Sequence, residues 1–123
     1  MRWKEIVRLA LEERLRMTNS REKGKRGERE LAAKLREHGY DCRRGVQYQG
    51  GPDSPDVIGL PHIHIECKRT EHLHLYDSLD QSRRDARGSG DIPAVFYRKN
   101  DCDWVVIMYL EDFMPVYKGE IGD

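Results

Sequence analysis

Two strands and the turn between them decide the fold, and they lie in residues 55–68, PDVIGLPHIHIECK. The second half, HIHIECK, alternates strictly, with the isoleucines and the cysteine on one face and polar residues on the other. A period of two is typical of a strand. The first half, DVIGL, predicts a shorter apolar strand, which Pro61 ends. Because the turn is short, we expect the two strands to be neighbours in one sheet.

Helices are predicted on both sides of this strand pair. Apolar residues at helical spacing predict amphipathic helices over about 3–17, 25–38 and 73–86. The polar stretch 17–26 contains Gly24 and is interpreted as a connector between the first two helices. The third helix is expected to bury one stripe, which consists of Leu75, Tyr76, Leu79, Ser82 and Ala86.

Further strands are predicted to complete a single sheet. Residues 40–48, 93–98 and 104–110 have strand character, residues 49–55 are a Gly- and Pro-rich loop, and the acidic tail from residue 111 is expected to be irregular. The order of these elements predicts an α/β fold with one mixed β-sheet of about five strands flanked by helices.

The length of 123 residues supports one globular domain with one core. Within it, we expect residues 1–20 to form an N-terminal helical extension and residues 21–123 to form the main domain. The longest apolar run, 105–110, is far shorter than the roughly 20 residues that span a bilayer. The N-terminus mixes acids and bases, unlike a secretory signal, and the three cysteines form no CxxC pair. We therefore expect a cytoplasmic protein rather than a membrane or exported one.

The charge of the chain is zero in total but unevenly distributed. There are 22 Lys and Arg residues against 22 Asp and Glu residues, yet the balance is +6 in residues 1–50, −1 in residues 51–100 and −5 in residues 101–123. A basic segment attracts a nucleic-acid backbone, although charged faces are also common on solvated helices. The neutral total therefore does not exclude a nucleic-acid partner.

Candidate chemistry centres on two acids and one lysine. Asp56 lies where a loop meets an apolar strand, and Glu66 and Lys68 project from one face of the next strand. Strand pairing would bring Asp56 towards Glu66, and two adjacent carboxylates repel each other unless a cation lies between them. Oxygen ligands of this kind suit Mg²⁺. The alternative is an ordinary surface ion pair on a sheet.

Glu28 is a further candidate on the second helix. It lies on the same apolar stripe as Leu31 and Leu35, where a carboxylate is costly unless something there requires it. Gly27 beside it would let the helix approach another backbone closely. The alternative is that Glu28 lies at a helix start, where an acid favours the macrodipole.

Together these residues resemble a known family. Pro55-Asp56, followed by Glu66-Cys67-Lys68, resembles the signature of the PD-(D/E)XK nucleases in its E-x-K form. The run GEREL, residues 27–31, resembles the first-helix motif of the Holliday-junction-resolvase-like branch. Over roughly residues 24–110 the chain is similar to small phage-type nucleases of this kind, which implies a restriction-endonuclease-like core.

The resemblance implies a role for each matching position. Asp56 and Glu66 would bind Mg²⁺, with Mn²⁺ as a substitute, and the backbone carbonyl of Cys67 would be a further ligand. Glu28 would reach the metal directly or through water. Lys68 would orient or activate the attacking water and stabilise the transition state.

Two of these assignments have open alternatives. Gln81, on the third helix, matches a glutamine found near the site in related nucleases, but it lies off the apolar stripe of its helix. Pro52-Asp53 is a second Pro-Asp pair, so Asp53 competes with Asp56 for the metal. Asp56 is preferred because the apolar strand begins directly after it.

The implied function is Mg²⁺-dependent hydrolysis of DNA by an endonuclease that acts on branched or structured DNA, in recombination or repair, for a phage within its bacterial host. A resolvase that cuts two strands symmetrically is expected to be a homodimer, and the basic segment 21–44 would follow the phosphate backbone. Contacts to DNA are expected from Lys23, Lys25, Arg26, Arg29, Arg43, Arg44, Lys68 and Arg69. A DNA-binding module of this fold without catalysis is the alternative.

A third hypothesis rests on histidines. His62-x-His64 and His72-x-His74 are two closely spaced pairs. On a strand, His62 and His64 would share a face and chelate a transition metal. A full zinc site would need further ligands, so polar positions on the sheet, with His64 near Glu66, are the simpler interpretation.

Overall fold

The computed structural model describes residues 2–45 and 54–121 of the chain. These residues form three helices and five strands. In chain order they are α1 (Trp3–Glu37), β1 (Arg43–Arg44), β2 (Val57–Ile58), β3 (Ile63–Arg69), α2 (Leu75–Ala86), β4 (Ile92–Arg98), β5 (Val105–Ile107) and α3 (Leu110–Tyr117). Within these two stretches, no helix has both the length and the hydrophobicity of a membrane span.

The strands form one mixed sheet in the order β1-β2-β3-β4-β5, which confirms the predicted α/β architecture. β2 pairs antiparallel with both β1 and β3, and β5 pairs antiparallel with β4. β3 and β4 are parallel, with Ile63 opposite Ile92, because α2 crosses over between them. β1, β2 and β5 are shorter than the sequence pattern predicts, and part of the first predicted strand, residues 46–48, lies outside the described residues.

The first helix is continuous, so the predicted connector at residues 17–26 is wrong. One glycine in a helix costs about 1 kcal/mol, and the rest of the stretch consists mostly of good helix formers. Thr18 Oγ1 donates to the Arg14 carbonyl one turn earlier at 3.0 Å, which is consistent with a helical backbone there. The pair of Lys25 with Glu22 at 3.7 Å adds a small stabilisation. The extension is therefore part of one long helix.

The acidic tail is also more regular than predicted, because α3 occupies most of it. Glu111 and Asp112 lie in the first turn of α3, where negative charge interacts favourably with the helix dipole. The prediction of an irregular tail counted these acids as solvated charge, whereas their position at a helix start favours the helix.

Helices cover both faces of the sheet. On the α1 face, Leu31 and Ala32 of the helix pack with Ile65 and Phe96 of the strands in one buried cluster. On the other face, α2 buries Ser78, Leu79, Ser82 and Ala86. The prediction that Leu75 and Tyr76 belong to this buried stripe is wrong, because both lie exposed in the first turn of α2.

Gly27 is the point of closest approach between α1 and β3. A Cβ atom at this position would lie 2.5 Å from Cβ of Arg69 and 3.9 Å from its Cα. These atoms belong to or adjoin the β3 backbone, so they have little freedom to move away. Only glycine therefore allows the two elements to pack at this distance.

We expect Gly27→Ala to lower the free energy of unfolding by about 1–3 kcal/mol, because the added methyl group overpacks the contact. Gly24→Ala is the matched control, since nothing lies within 4 Å of its Cβ position, and it should raise the stability by up to about 1 kcal/mol. Urea unfolding of both variants measures the difference. Equal changes in the free energy of unfolding of the two variants would contradict the close approach of α1 to β3 at Gly27.

Candidate active site

The pairing of β2 with β3 brings Asp56 and Glu66 together. Val57 lies opposite Ile65, and the Asp56 amide donates to the Ile65 carbonyl at 2.9 Å. The Asp56 carboxylate in turn accepts a hydrogen bond from the Cys67 amide, with 2.8 Å between Oδ2 and N. This bond holds the carboxylate against β3, beside Glu66.

Glu66 and Lys68 lie on the face of β3 opposite to α1. Lys68 Nζ is 3.3 Å from Glu66 Oε1. Glu66 is only 4% exposed, so this contact is not the ordinary surface ion pair that the sequence left open. A buried carboxylate with one partly exposed ammonium beside it is typical of a site that binds a cation or a substrate.

The site has two carboxylates but only one ammonium group beside them, so negative charge is in excess. Burial, followed by the charge of Asp56, raises the pKa of Glu66 to about 7, while Lys68 opposes the rise. Burial also raises the pKa of Asp56, against the hydrogen bond from the Cys67 amide and the charge of Lys68. A divalent cation between the carboxylates would stabilise their ionised forms. The donor set, which consists of hard oxygen atoms, therefore fits Mg²⁺ or Mn²⁺.

Glu28 lies near this pair but is held by an arginine. Arg44 Nε donates to Glu28 Oε1 at 3.1 Å. Burial, followed by the charge of Asp56, raises the pKa of Glu28. Because α1 runs from Trp3 to Glu37, Glu28 is an interior residue of the helix, and the interpretation that it lies at a helix start is wrong.

The described stretches contain no group of three or more His, Cys, Asp or Glu side chains placed to hold a metal ion. Among the described residues, Asp56 and Glu66 therefore offer two carboxylates without a third such side chain placed beside them. Cys67 directly follows Glu66, and its amide donates to Asp56. Burial raises the pKa of its thiol, so its carbonyl oxygen suits Mg²⁺ better than its sulfur does.

Two predicted residues are not joined to the pair by the structure. Gln81 is half-buried on α2, the helix that covers the Glu66 face of the sheet, and within the described chain its side chain makes no hydrogen bond to either carboxylate. Asp53, the alternative to Asp56 for the metal, lies outside the described residues.

The predicted DNA-contacting residues separate into two groups. Arg43 is paired with Asp41 at 3.0 Å on β1, close to Arg44 and its partner Glu28. The other group lies along α1 and at the end of β3. Its members are Lys23, Lys25, Arg26, Arg29, Lys68 and Arg69.

The sequence interpretation missed Asp85 and Glu30, and it placed His64 near Glu66 without relating it to Asp56. Asp85 on α2 adds to the raised pKa of Glu66, and the charge of His64 lowers the pKa of Asp56. Glu30 on α1 pairs with Arg98 of β4. Alternation along β3 places His64 on the Glu66 face, but no local pattern relates Glu30 to a residue so far along the chain.

The histidine hypothesis loses its geometric basis. β3 begins at Ile63, and His62 before it has a φ angle of +71° and is exposed. His64 is 2% exposed, within the strand. The prediction that these two side chains share a face is therefore wrong, and His72 and His74 are both exposed outside the strands.

Comparisons with known proteins give the family of the chain and a structural neighbour. The sequence profile of a family described as "Phage putative PDDEXK endonuclease" matches residues 19–119. The chain is similar to the structure of Hjc, a Holliday junction resolvase from the archaeal hyperthermophile Archaeoglobus fulgidus, with 27% identity and a TM-score of 0.55 over 70% of this chain and 72% of that one. No curated protein matches.

Proposed function

The chain belongs to the phage PDDEXK endonuclease family, and from this premise we propose that it is a divalent-metal-dependent DNA endonuclease that cuts branched DNA. The observation that carries the proposal is the pairing of half-buried Asp56 with buried Glu66, with Lys68 Nζ 3.3 Å from Glu66. Two carboxylates shielded from solvent with one adjacent ammonium are suited to hydrolysis of a phosphodiester with a metal ion.

In this proposal, Asp56 and Glu66 hold Mg²⁺, or Mn²⁺ in its place, together with the carbonyl oxygen of Cys67. When bound, the metal lowers the pKa of a water molecule and stabilises negative charge on the phosphate oxygens. Glu28 approaches this position through water, since its own carboxylate is bound by Arg44 at 3.1 Å.

Lys68 has the role of orienting the attacking water and neutralising charge on the phosphate. Its ammonium lies 3.3 Å from Glu66 Oε1 and its side chain is partly exposed, so it reaches the same volume as the carboxylates. Gln81 on α2 is a candidate for a second hydrogen bond to that water. Arg29, Arg43 and Arg44 contact phosphates on either side of the cut. The water oxygen forms a bond to phosphorus, the bond from phosphorus to the 3′ or 5′ oxygen breaks, and that oxygen leaves as a hydroxyl group with a proton from the water.

The choice of branched DNA rests on similarity to Hjc, whose described substrate is the Holliday junction. A cleavage assay on a four-way junction, a nicked duplex and a linear duplex tests it, with Mg²⁺, with Mn²⁺ and with a chelator. We expect cleavage of the junction only when a divalent cation is present. Cleavage of the linear duplex at the same rate as the junction would contradict the choice of branched DNA as the substrate. If the protein binds the junction but does not cut it with any of the metal ions tested, the alternative of a DNA-binding module without catalysis is favoured.

Binding of the metal is measured separately from activity. Calorimetric titration with Mn²⁺ should detect a site that is lost in Asp56→Asn. Glu37→Gln, a change in an exposed pair with Lys34 at 3.4 Å, is the matched control and should bind Mn²⁺ normally. Retention of Mn²⁺ by Asp56→Asn would contradict the assignment of Asp56.

We also expect the protein to be a homodimer, because symmetrical cleavage of two strands requires two sites. Light scattering at micromolar concentration should give a mass near twice 14.4 kDa. The monomer exposes large apolar side chains, including Trp3, Leu110 and Tyr117, which gives it apolar surface to bury on association. A monomeric mass both alone and on junction DNA would contradict this expectation.

A further inference from the structure

A basic pocket lies on the opposite side of β3 from Glu66 and Lys68. It has a volume of about 300 Å³ and opens between α1 and the loop after β4. Its lining consists of Lys23, Arg26, Gly27, Glu30, Arg69 and Asn100. Most of these residues are basic or polar, so the pocket suits an anion rather than an apolar ligand.

Arg69 is the central residue of this pocket. Its side chain is only 15% exposed, and its Nε is 3.4 Å from Glu30 Oε2. Its Nη1 atom is buried, and within the described parts of the chain it has no hydrogen-bond partner. A buried guanidinium N–H without an acceptor is costly, so a ligand with acceptor oxygens would stabilise this arrangement.

Glu30 does not neutralise the pocket. Its carboxylate is shared between Arg69 and Arg98, which both pair with it. Lys23 and Arg26, one helical turn apart on α1, remain exposed at the pocket mouth. The backbone N–H of Asn100 already donates to Glu71 Oε2 at 2.7 Å, so the donors left for an anion are the basic side chains and the side-chain amide of Asn100.

The location relates this pocket to the candidate active site. Arg69 follows Lys68 directly, and successive side chains of a strand point to opposite faces. The two basic groups therefore flank the end of β3 from its two sides. A DNA strand that crosses this end would place one phosphate near Lys68 and another near Arg69.

We infer that this pocket binds a non-scissile backbone phosphate of the DNA substrate, held by Arg69, Lys23 and Arg26. The inference rests on the proposed function, since it takes DNA as the ligand. Arginine's planar donor fork matches phosphate oxygens, and the two exposed side chains add charge at the pocket mouth. The pocket would fix the register of the strand while the scissile phosphate lies on the other side of β3.

The test uses two variants with equal loss of charge. Lys23→Gln/Arg26→Gln changes the pocket, and Lys4→Gln/Lys118→Gln changes two exposed lysines outside the basic segment 21–44. Affinity for a fluorescent four-way junction is measured by anisotropy in a chelator, at salt concentrations from about 50 to 200 mM. We expect the pocket variant to bind about tenfold more weakly, with a salt slope reduced by about one. The control should change much less.

A neutral phosphate analogue separates direct contact from general attraction. Methylphosphonates placed singly along the junction arms should reduce the affinity of the unmodified protein at one non-scissile position, and the pocket variant should lose that effect. Equal affinity and slope in the pocket and control variants, or no sensitive non-scissile position, would overturn the inference. Thermal unfolding of both variants confirms that they are folded.

Failure of the pocket assignment and failure of the proposed endonuclease function give different results. If the unmodified protein cuts DNA but the pocket variant matches the control, the pocket assignment fails and the endonuclease stands. If the unmodified protein never cuts but the pocket variant loses affinity as expected, the endonuclease fails and the phosphate pocket stands.

Discussion

Glu66→Gln is expected to reduce the rate of junction cleavage at least about a thousandfold while changing junction affinity less than about twofold. The amide keeps the size of the side chain but removes the charge that would hold the metal. Loss of metal activation costs several kcal/mol of transition-state stabilisation, and each 1.36 kcal/mol is a factor of about ten in rate. Single-turnover cleavage at saturating junction DNA measures the chemical step apart from binding.

Controls make this result specific to the carboxylate pair. Asp56→Asn should cause a similar loss, and the double variant should be little worse than either single one, because residues that act as a unit are not additive. Glu37→Gln, at an exposed position on α1, should cut normally. If Glu66→Gln cuts as well as the unmodified protein, the catalytic assignment of Glu66 is wrong.

The second large effect is a pH-dependent stability of the metal-free protein. The pKa of Glu66 in the folded protein is about 7, against an ordinary value of 4.5. The folded state therefore binds more protons than the unfolded state between these values, and stability falls as the pH rises through this range. The contribution of Glu66 is about 3 kcal/mol, fully present below pH 4.5 and lost above pH 7. The raised pKa values of Asp56 and Glu28 act in the same direction.

Glu66→Gln isolates this contribution, because glutamine is neutral at every pH. In a chelator, the variant should be more stable than the unmodified protein by up to about 3 kcal/mol at pH 8, and the two should converge near pH 4.5. Urea unfolding across this range measures the difference. Added Mg²⁺ should stabilise only the unmodified protein at pH 8. A difference that does not vary with pH would contradict the buried, proton-binding state of Glu66.

The local pattern was sufficient to predict the centre of the sheet. Strict alternation in HIHIECK predicted β3, and the short turn at Pro61 predicted its pairing with β2. Both signals act over a few residues, where strand periodicity and chain length leave few alternatives. For the same reason the sequence correctly placed Asp56 beside Glu66, and Glu66 and Lys68 on one face.

The helix boundaries were less predictable, because small energies decide them. Gly24 suggested a break in α1, but the cost of one glycine is about 1 kcal/mol, which neighbouring helix formers and ion pairs offset. Acidic residues in the tail suggested an irregular segment, whereas Glu111 and Asp112 lie at the start of α3. Composition alone does not distinguish a solvated acid from one in the first turn of a helix.

The sequence by itself determined the strand pair, the mixed α/β class and the acids and lysine of the candidate site. Only the tertiary structure decided how those groups behave. The burial that raises the Glu66 pKa comes from the elements packed around the end of β3, and the pairing of Glu30 with Arg98 joins residues 68 positions apart. Such contacts depend on how α1 and β4 pack against β3, and Gly27 allows that packing by leaving room for Arg69. Periodicity reports which face a side chain occupies, whereas its charge environment depends on segments that are distant along the chain.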